Sequence, residues 1–164
     1  MGRIDEPSTL PELVALTAPP GGSPPITIVA LAHCDELLAP FLGWARALAL
    51  HGVLPRRDHE ILALRTAHNC QSEFEWTEHT AFARRAGLTD EEIAAIASGA
   101  GTDWTERERL LLTAADELHA ESSISRPTWA ALTPQCTTAE LVEAIYVVGQ
   151  YTMLSMVANV VEGD

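Results

Sequence analysis

Aromatic residues make up only 5% of this 164-residue chain, although 47% of it is hydrophobic. A core drawn from alanine and leucine with so few rings favours helices over sandwiches or barrels. Basic residues are also scarce, with ten Lys+Arg against 23 Asp+Glu and a formal net charge of −13. That deficit excludes a phosphate-tracking nucleic-acid footprint and docking on an anionic membrane surface. It does not exclude an anionic small substrate, because one local arginine pair reverses the field inside a pocket. The N-terminus carries Asp5 and Glu6 and shows no apolar run behind a basic segment, so no secretory leader is expected. Cys34, Cys70 and Cys136 are odd in number and widely spaced, which fits neither a disulfide framework nor a zinc motif. A reducing, cytoplasmic setting is the simple expectation.

The length suits one domain with a real core. Charge is missing from Ala144 to Val161, but Gln150, Thr152, Ser155 and Asn159 interrupt that stretch and no basic flank follows it. A helix buried between neighbours or subunits fits better than a membrane span. Capping-box pairs recur at Thr9/Glu12, Ser72/Glu75, Thr89/Glu92, Thr105/Glu108 and Thr137/Glu140, each ahead of apolar residues at helical spacing. Leu38, Phe41, Leu42, Ala45 and Leu48 form one such stripe; Leu111, Ala115 and Leu118 form another. The pattern predicts helices over 35–51, 56–69, 72–86, 90–98, 104–120, 126–132 and 138–161, with a short one at 9–16. Gly87 sits where one helix must stop. A Pro/Gly-rich loop covers 19–25, and only Ile26–Leu31 passes, briefly, for a strand. Residues 1–34 then read as an extension and loop, and 35–164 as the helical domain.

The stretch from Leu54 to His79 carries the chemistry. Leu54-Pro55-Arg56-Arg57-Asp58-His59-Glu60 opens one helix, and Ser72, Glu75 and His79 follow on the next. Downstream come Ala86-Gly87-Leu88-Thr89, Asp103-Trp104-Thr105, Ala115-Asp116-Glu117-Leu118, Trp129 and Val148-Gly149-Gln150-Tyr151. This ordered series, from about Leu38 onward, resembles the carboxymuconolactone decarboxylase and alkyl hydroperoxidase D-like family. The resemblance implies an all-α, oligomeric bundle of about six to eight helices, assembled as a trimer or hexamer. In the family's peroxidase branch a Glu, a Cys-x-x-Cys and a His stand at the spacing of Glu60, Ser72/Glu75 and His79. Here Ser72 and Glu75 occupy the cysteine positions. Peroxide reduction through a dithiol needs one thiolate to attack and a second thiol to resolve the sulfenic acid, and neither residue can cycle so.

What remains is an acid/base set. Glu75 and His79 are four residues apart on one helix face, with Ser72 a turn earlier. A carboxylate beside an imidazole fixes its tautomer and makes a competent general base or acid. The resemblance brings Glu60 in from the preceding helix as support. Arg57, and after it Arg56, can hold a substrate carboxylate or enolate through paired hydrogen bonds; Ser72, Trp76 and Tyr151 are further candidates for lining the site. The expectation is a cofactor-independent enzyme, with no metal, that acts on a small carboxylated, lactone or carbonyl metabolite by decarboxylation, lactone or proton-transfer chemistry. Two rivals stand beside it: a redox protein working through Cys70, and a non-catalytic oligomeric scaffold. In the scaffold reading Ser72/Glu75 is only a capping box, His79 a satisfied structural histidine, and Glu60 the partner of Arg56 or Arg57. His51, His59, His68 and His119 are dispersed and read as structural.

Overall fold

The computed structural model describes Ile4 and residues 11–19, 22–98 and 103–163. Thr9, half of the first capping pair, lies outside the described residues. Among the described residues there are nine helices and no strand: α1 (Glu12–Ala15), α2 (Ile26–Leu31), α3 (Asp35–His51), α4 (Arg56–Asn69), α5 (Glu73–Arg85), α6 (Asp90–Ser98), α7 (Glu106–Glu121), α8 (Arg126–Leu132) and α9 (Thr138–Glu162). The segment that passed for a strand, Ile26–Leu31, is helix α2. Pro25 stands at its N-cap with the φ of −55° that its ring fixes and so starts the turn, while Ile28 buries its side chain.

The chain divides into two compact units, one of residues 1–52 and 156–164 and one of residues 53–155. In the first, Val14, Ile28, Ala32 and Leu38 make a small apolar cluster, with Phe41 and Leu42 of the α3 stripe packed against it. In the second, α4 is the central element, and α5, α6 and α7 all pack on it. Its residues from Asp58 to Leu64, then Thr66 and Ala67, are buried, so this helix is enclosed on nearly every side. Ile61 and Leu64 form a core with Ala83, Leu88, Ile93 and Ile96.

Arginines pair several acidic residues of this unit. Arg107 holds Asp58 at 2.6 Å and Glu140 at 2.8 Å, and Arg65 holds Asp116 at 2.6 Å. Two helix ends share one hydrogen-bond pattern. At the end of α5, Gly87 N–H donates to Arg84 and Leu88 N–H to Ala83, with Gly87 at φ 91°. At the end of α4, Gln71 N–H donates to His68 and Ser72 N–H to Ala67, but the left-handed residue (φ 54°) is Gln71. Such a position ordinarily selects glycine or asparagine.

Candidate functional site

Three of the four capping pairs within the described residues close in both directions. Thr89 and Glu92, Thr105 and Glu108, and Thr137 and Glu140 each exchange a backbone N–H for a side-chain oxygen. Ser72/Glu75 closes in one direction only. Ser72 Oγ accepts from Glu75 N–H at 3.3 Å, while Ser72 N–H is already given to Ala67. The Glu75 carboxylate thus has no cap donor to return to. It lies 3% exposed, with Oε2 3.8 Å from His79 Nε2.

The other edge of His79 is held across the helix interface. His79 Nδ1 lies 2.7 Å from Glu60 Oε2, and both residues are buried. Since a carboxylate only accepts, Nδ1 carries the proton, and Nε2 is the edge that faces Glu75. The expectation that Glu75 orients His79 is therefore corrected: at 3.8 Å the Glu75 contact is too long for a hydrogen bond, and Glu60 performs the orienting. Burial pushes the Glu75 carboxyl up to about 7, against an opposing pull from His79.

Tyr151 of α9 closes this cluster. Its ring meets the His79 ring edge-on at 4.3 Å, and its hydroxyl lies 3.0 Å from His59 Nε2. Burial, with the fields of Glu60 and Glu75, holds the phenol above its ordinary value. Burial also lowers the His59 imidazole to about 4, so it stays neutral in the physiological range. His59, which reads from sequence as one dispersed histidine among several, is thus a member of the cluster. Its place beside Glu60 was the one available signal, and it is a weak one.

The arginines divide differently from the expectation. Arg57 is not brought to the cluster. Its guanidinium is shared by Glu92 and Glu108, donates to the Gly87 carbonyl and lies 5.9 Å from the Trp104 ring centre. With its donors engaged, Arg57 is corrected from substrate ligand to structural tie. Arg56 is exposed, and its field reaches both His59 and Tyr151. Trp76 lies half-buried against the Ile61 core and beside His68. Cys70 stands 3.8 Å from His119 Nδ1, and burial raises its thiol. Among the described residues, no group of three or more His, Cys, Asp or Glu converges in the manner of a metal site. Next to Ser72 the surface opens into a cleft of about 750 Å³.

The family model described as "Carboxymuconolactone decarboxylase family" matches residues 35–117. Solved structures match the fold. An uncharacterized peroxidase-related protein from Silicibacter sp. TM1040 is 19% identical, covering 98% of this chain and 89% of that one, with a TM-score of 0.81. An uncharacterized peroxidase-related protein from Ralstonia eutropha JMP134, described as an alkylhydroperoxidase AhpD core, is 20% identical over 98% and 92%, with a TM-score of 0.73. A protein of unknown function from Agrobacterium tumefaciens is 20% identical over 79% and 90%, with a TM-score of 0.70. At these identities the likeness establishes an all-helical, AhpD-like fold. No curated protein matches the sequence.

Proposed function

Because the chain belongs to the carboxymuconolactone decarboxylase family, we propose that the Glu60–His79–Glu75 cluster is a cofactor-independent acid/base site for a small lactone, carbonyl or carboxylated metabolite. The observation that carries this reading is the half-open cap: Glu75 leaves Ser72 unreciprocated and buries its carboxyl beside an imidazole that Glu60 has already oriented. Burying a carboxyl away from its cap donor is unfavourable for folding alone, and perturbed groups of this kind gather at working sites.

The arrangement supports a two-proton exchange. His79 Nε2, its lone pair free while Glu60 holds Nδ1, takes a proton from a carbon next to a carbonyl. The electron pair of the broken C–H bond moves into the C–C–O system, and the Glu75 carboxylic proton passes to the developing oxyanion. Reversal at a different carbon gives isomerisation. If the bond that breaks is the one to a carboxylate, CO₂ leaves instead and Glu75 protonates the same oxygen. With a pKa near 7, Glu75 serves as donor and acceptor with little bias at neutral pH. Tyr151 packs on the imidazole and limits its rotation. The Cys70 alternative has less to support it, since burial raises that thiol when a nucleophile needs it lowered.

Deuterium incorporation from heavy water into a panel of lactones and oxo acids tests the proposal. His79→Ala is expected to lower exchange about 10²–10⁴-fold, the range that general acid/base catalysis supplies. Glu75→Gln, which keeps the shape and removes the proton, is expected to fall comparably. Wild-type protein that exchanges no member of the panel, or a His79→Ala variant that exchanges undiminished, overturns the reading.

A further inference from the structure

The acid/base cluster does not account for the cleft next to Ser72, whose lining includes none of Glu60, Glu75 and His79. About 750 Å³ opens at the turn between α4 and α5, within the usual range for a small-molecule site. Trp76 contributes an indole that packs against the core and also lines the cleft, with His68 edge-on at 6.3 Å. His119 of α7 is a further wall residue, and Ser72, whose hydroxyl caps the helix that carries Glu75 and His79, is another. Among the described residues that line it, the one fixed charge is Glu73, and neither lysine nor arginine is present.

The backbone adds an independent observation. Gln71, also in the lining, holds φ 54° at a place where Gly87 performs the same closure without strain. A side chain kept at a left-handed position despite that penalty points to a use for the side chain. The amide of Gln71 offers one donor face and one acceptor face, and the His68 and His119 imidazoles bring ring nitrogens to the same lining.

We propose that this cleft binds an uncharged, planar, unsaturated ring bearing a carbonyl or amide substituent. The flat ring stacks on Trp76, and the substituent meets Gln71 and the imidazoles. An anionic ligand would face Glu73 with no cation to offset it. The inference goes beyond the acid/base reading, because binding here requires no turnover and survives the loss of His79.

Benzamide, benzoate and cyclohexanecarboxamide are the probes, followed by NMR at the tryptophan indole N–H and histidine imidazole signals, with Trp76→Phe assigning the Trp76 resonance. Benzamide is expected to shift Trp76, His68 and His119 saturably in wild type and equally in His79→Ala. Trp76→Ala is expected to weaken it about tenfold, the size of one aromatic stacking contact, and Gln71→Gly by a similar factor. Trp76→Phe, which keeps a ring and the core packing, should retain most of the affinity. Absent saturation, equal binding by cyclohexanecarboxamide, tighter binding of benzoate, or an undiminished Trp76→Ala or Gln71→Gly variant overturns the proposal. None of these outcomes depends on deuterium exchange, so this inference and the catalytic reading can fail separately.

Discussion

His79 gives its Nδ1 edge to Glu60, nineteen positions back in the chain and on another helix, at 2.7 Å. Its nearer neighbour in sequence, Glu75, stands off at 3.8 Å. That asymmetry separates two carboxylates that look interchangeable by residue type. Both are buried, but one is bound to a ring nitrogen, while burial raises the carboxyl of the other to about 7.

The titration of Glu75 and His59 gives opposite slopes of stability with pH. Burial raises the Glu75 carboxyl to about 7, so between its ordinary 4.5 and 7 the folded chain keeps a proton that the unfolded chain has lost. Its contribution therefore falls as pH rises through that window. His59 is lowered from 6.5 to about 4, so the unfolded chain takes up a proton first and stability falls as pH drops from 6.5 to 4. The two oppose each other over much of one range. Glu75→Gln should expose the His59 slope and be more stable than wild type above pH 7 by about 1–3 kcal/mol. His59→Gln should expose the Glu75 slope, with stability declining from pH 4.5 to 7. Urea midpoints from pH 4 to 8 measure both, and profiles parallel to wild type would contradict the burial argument.

Gln71→Gly should raise stability by about 0.5–1 kcal/mol, because glycine adopts the left-handed conformation without a Cβ penalty. In a domain of this size that is a Tm gain of about 1–4 °C. A loss of stability would mean that the Gln71 side chain makes contacts worth more than the strain.

No dithiol peroxidase cycle is expected. Ser72 and Glu75 hold the cysteine positions, and burial raises the thiols of Cys70 and Cys136. Replacing Cys34, Cys70 and Cys136 together with Ser or Ala should spare proton exchange, apart from some packing loss at Cys136. If Cys70→Ser alone abolishes turnover with an unchanged Tm, the thiol is the working group.

The exposed face of α9 carries Val142, Ile145, Met153 and Met156, which recur at helical spacing. We expect this face to be covered by another copy of the chain, in a trimer or hexamer. Light scattering at micromolar concentration should give a multiple of 17.7 kDa, and Met153→Glu should shift it toward the single-chain mass. A wild-type species at 17.7 kDa would refute the assembly.

Helix limits were largely legible because Ser and Thr caps, Gly87 and the apolar stripes are local signals. Ile26–Leu31 was not, since a six-residue run rich in β-branched side chains satisfies either period and only the packing of Ile28 decides. The meeting of Glu60 with His79 was legible through family spacing, not through periodicity. The fate of Arg57 was hidden because its partners lie thirty-five and fifty-one positions away. His59 was hidden for a similar reason: its partner Tyr151 is ninety-two positions downstream.

Arg57 bonds the glutamates of two capping boxes at once, Glu92 at the start of α6 and Glu108 at the start of α7, from the first turn of α4. First turns are ordinarily where helices fray, each by itself. With one guanidinium holding three of them, the amide protons at these starts should open to solvent together, so that local opening becomes a shared event and the beginnings of α4, α6 and α7 keep common time.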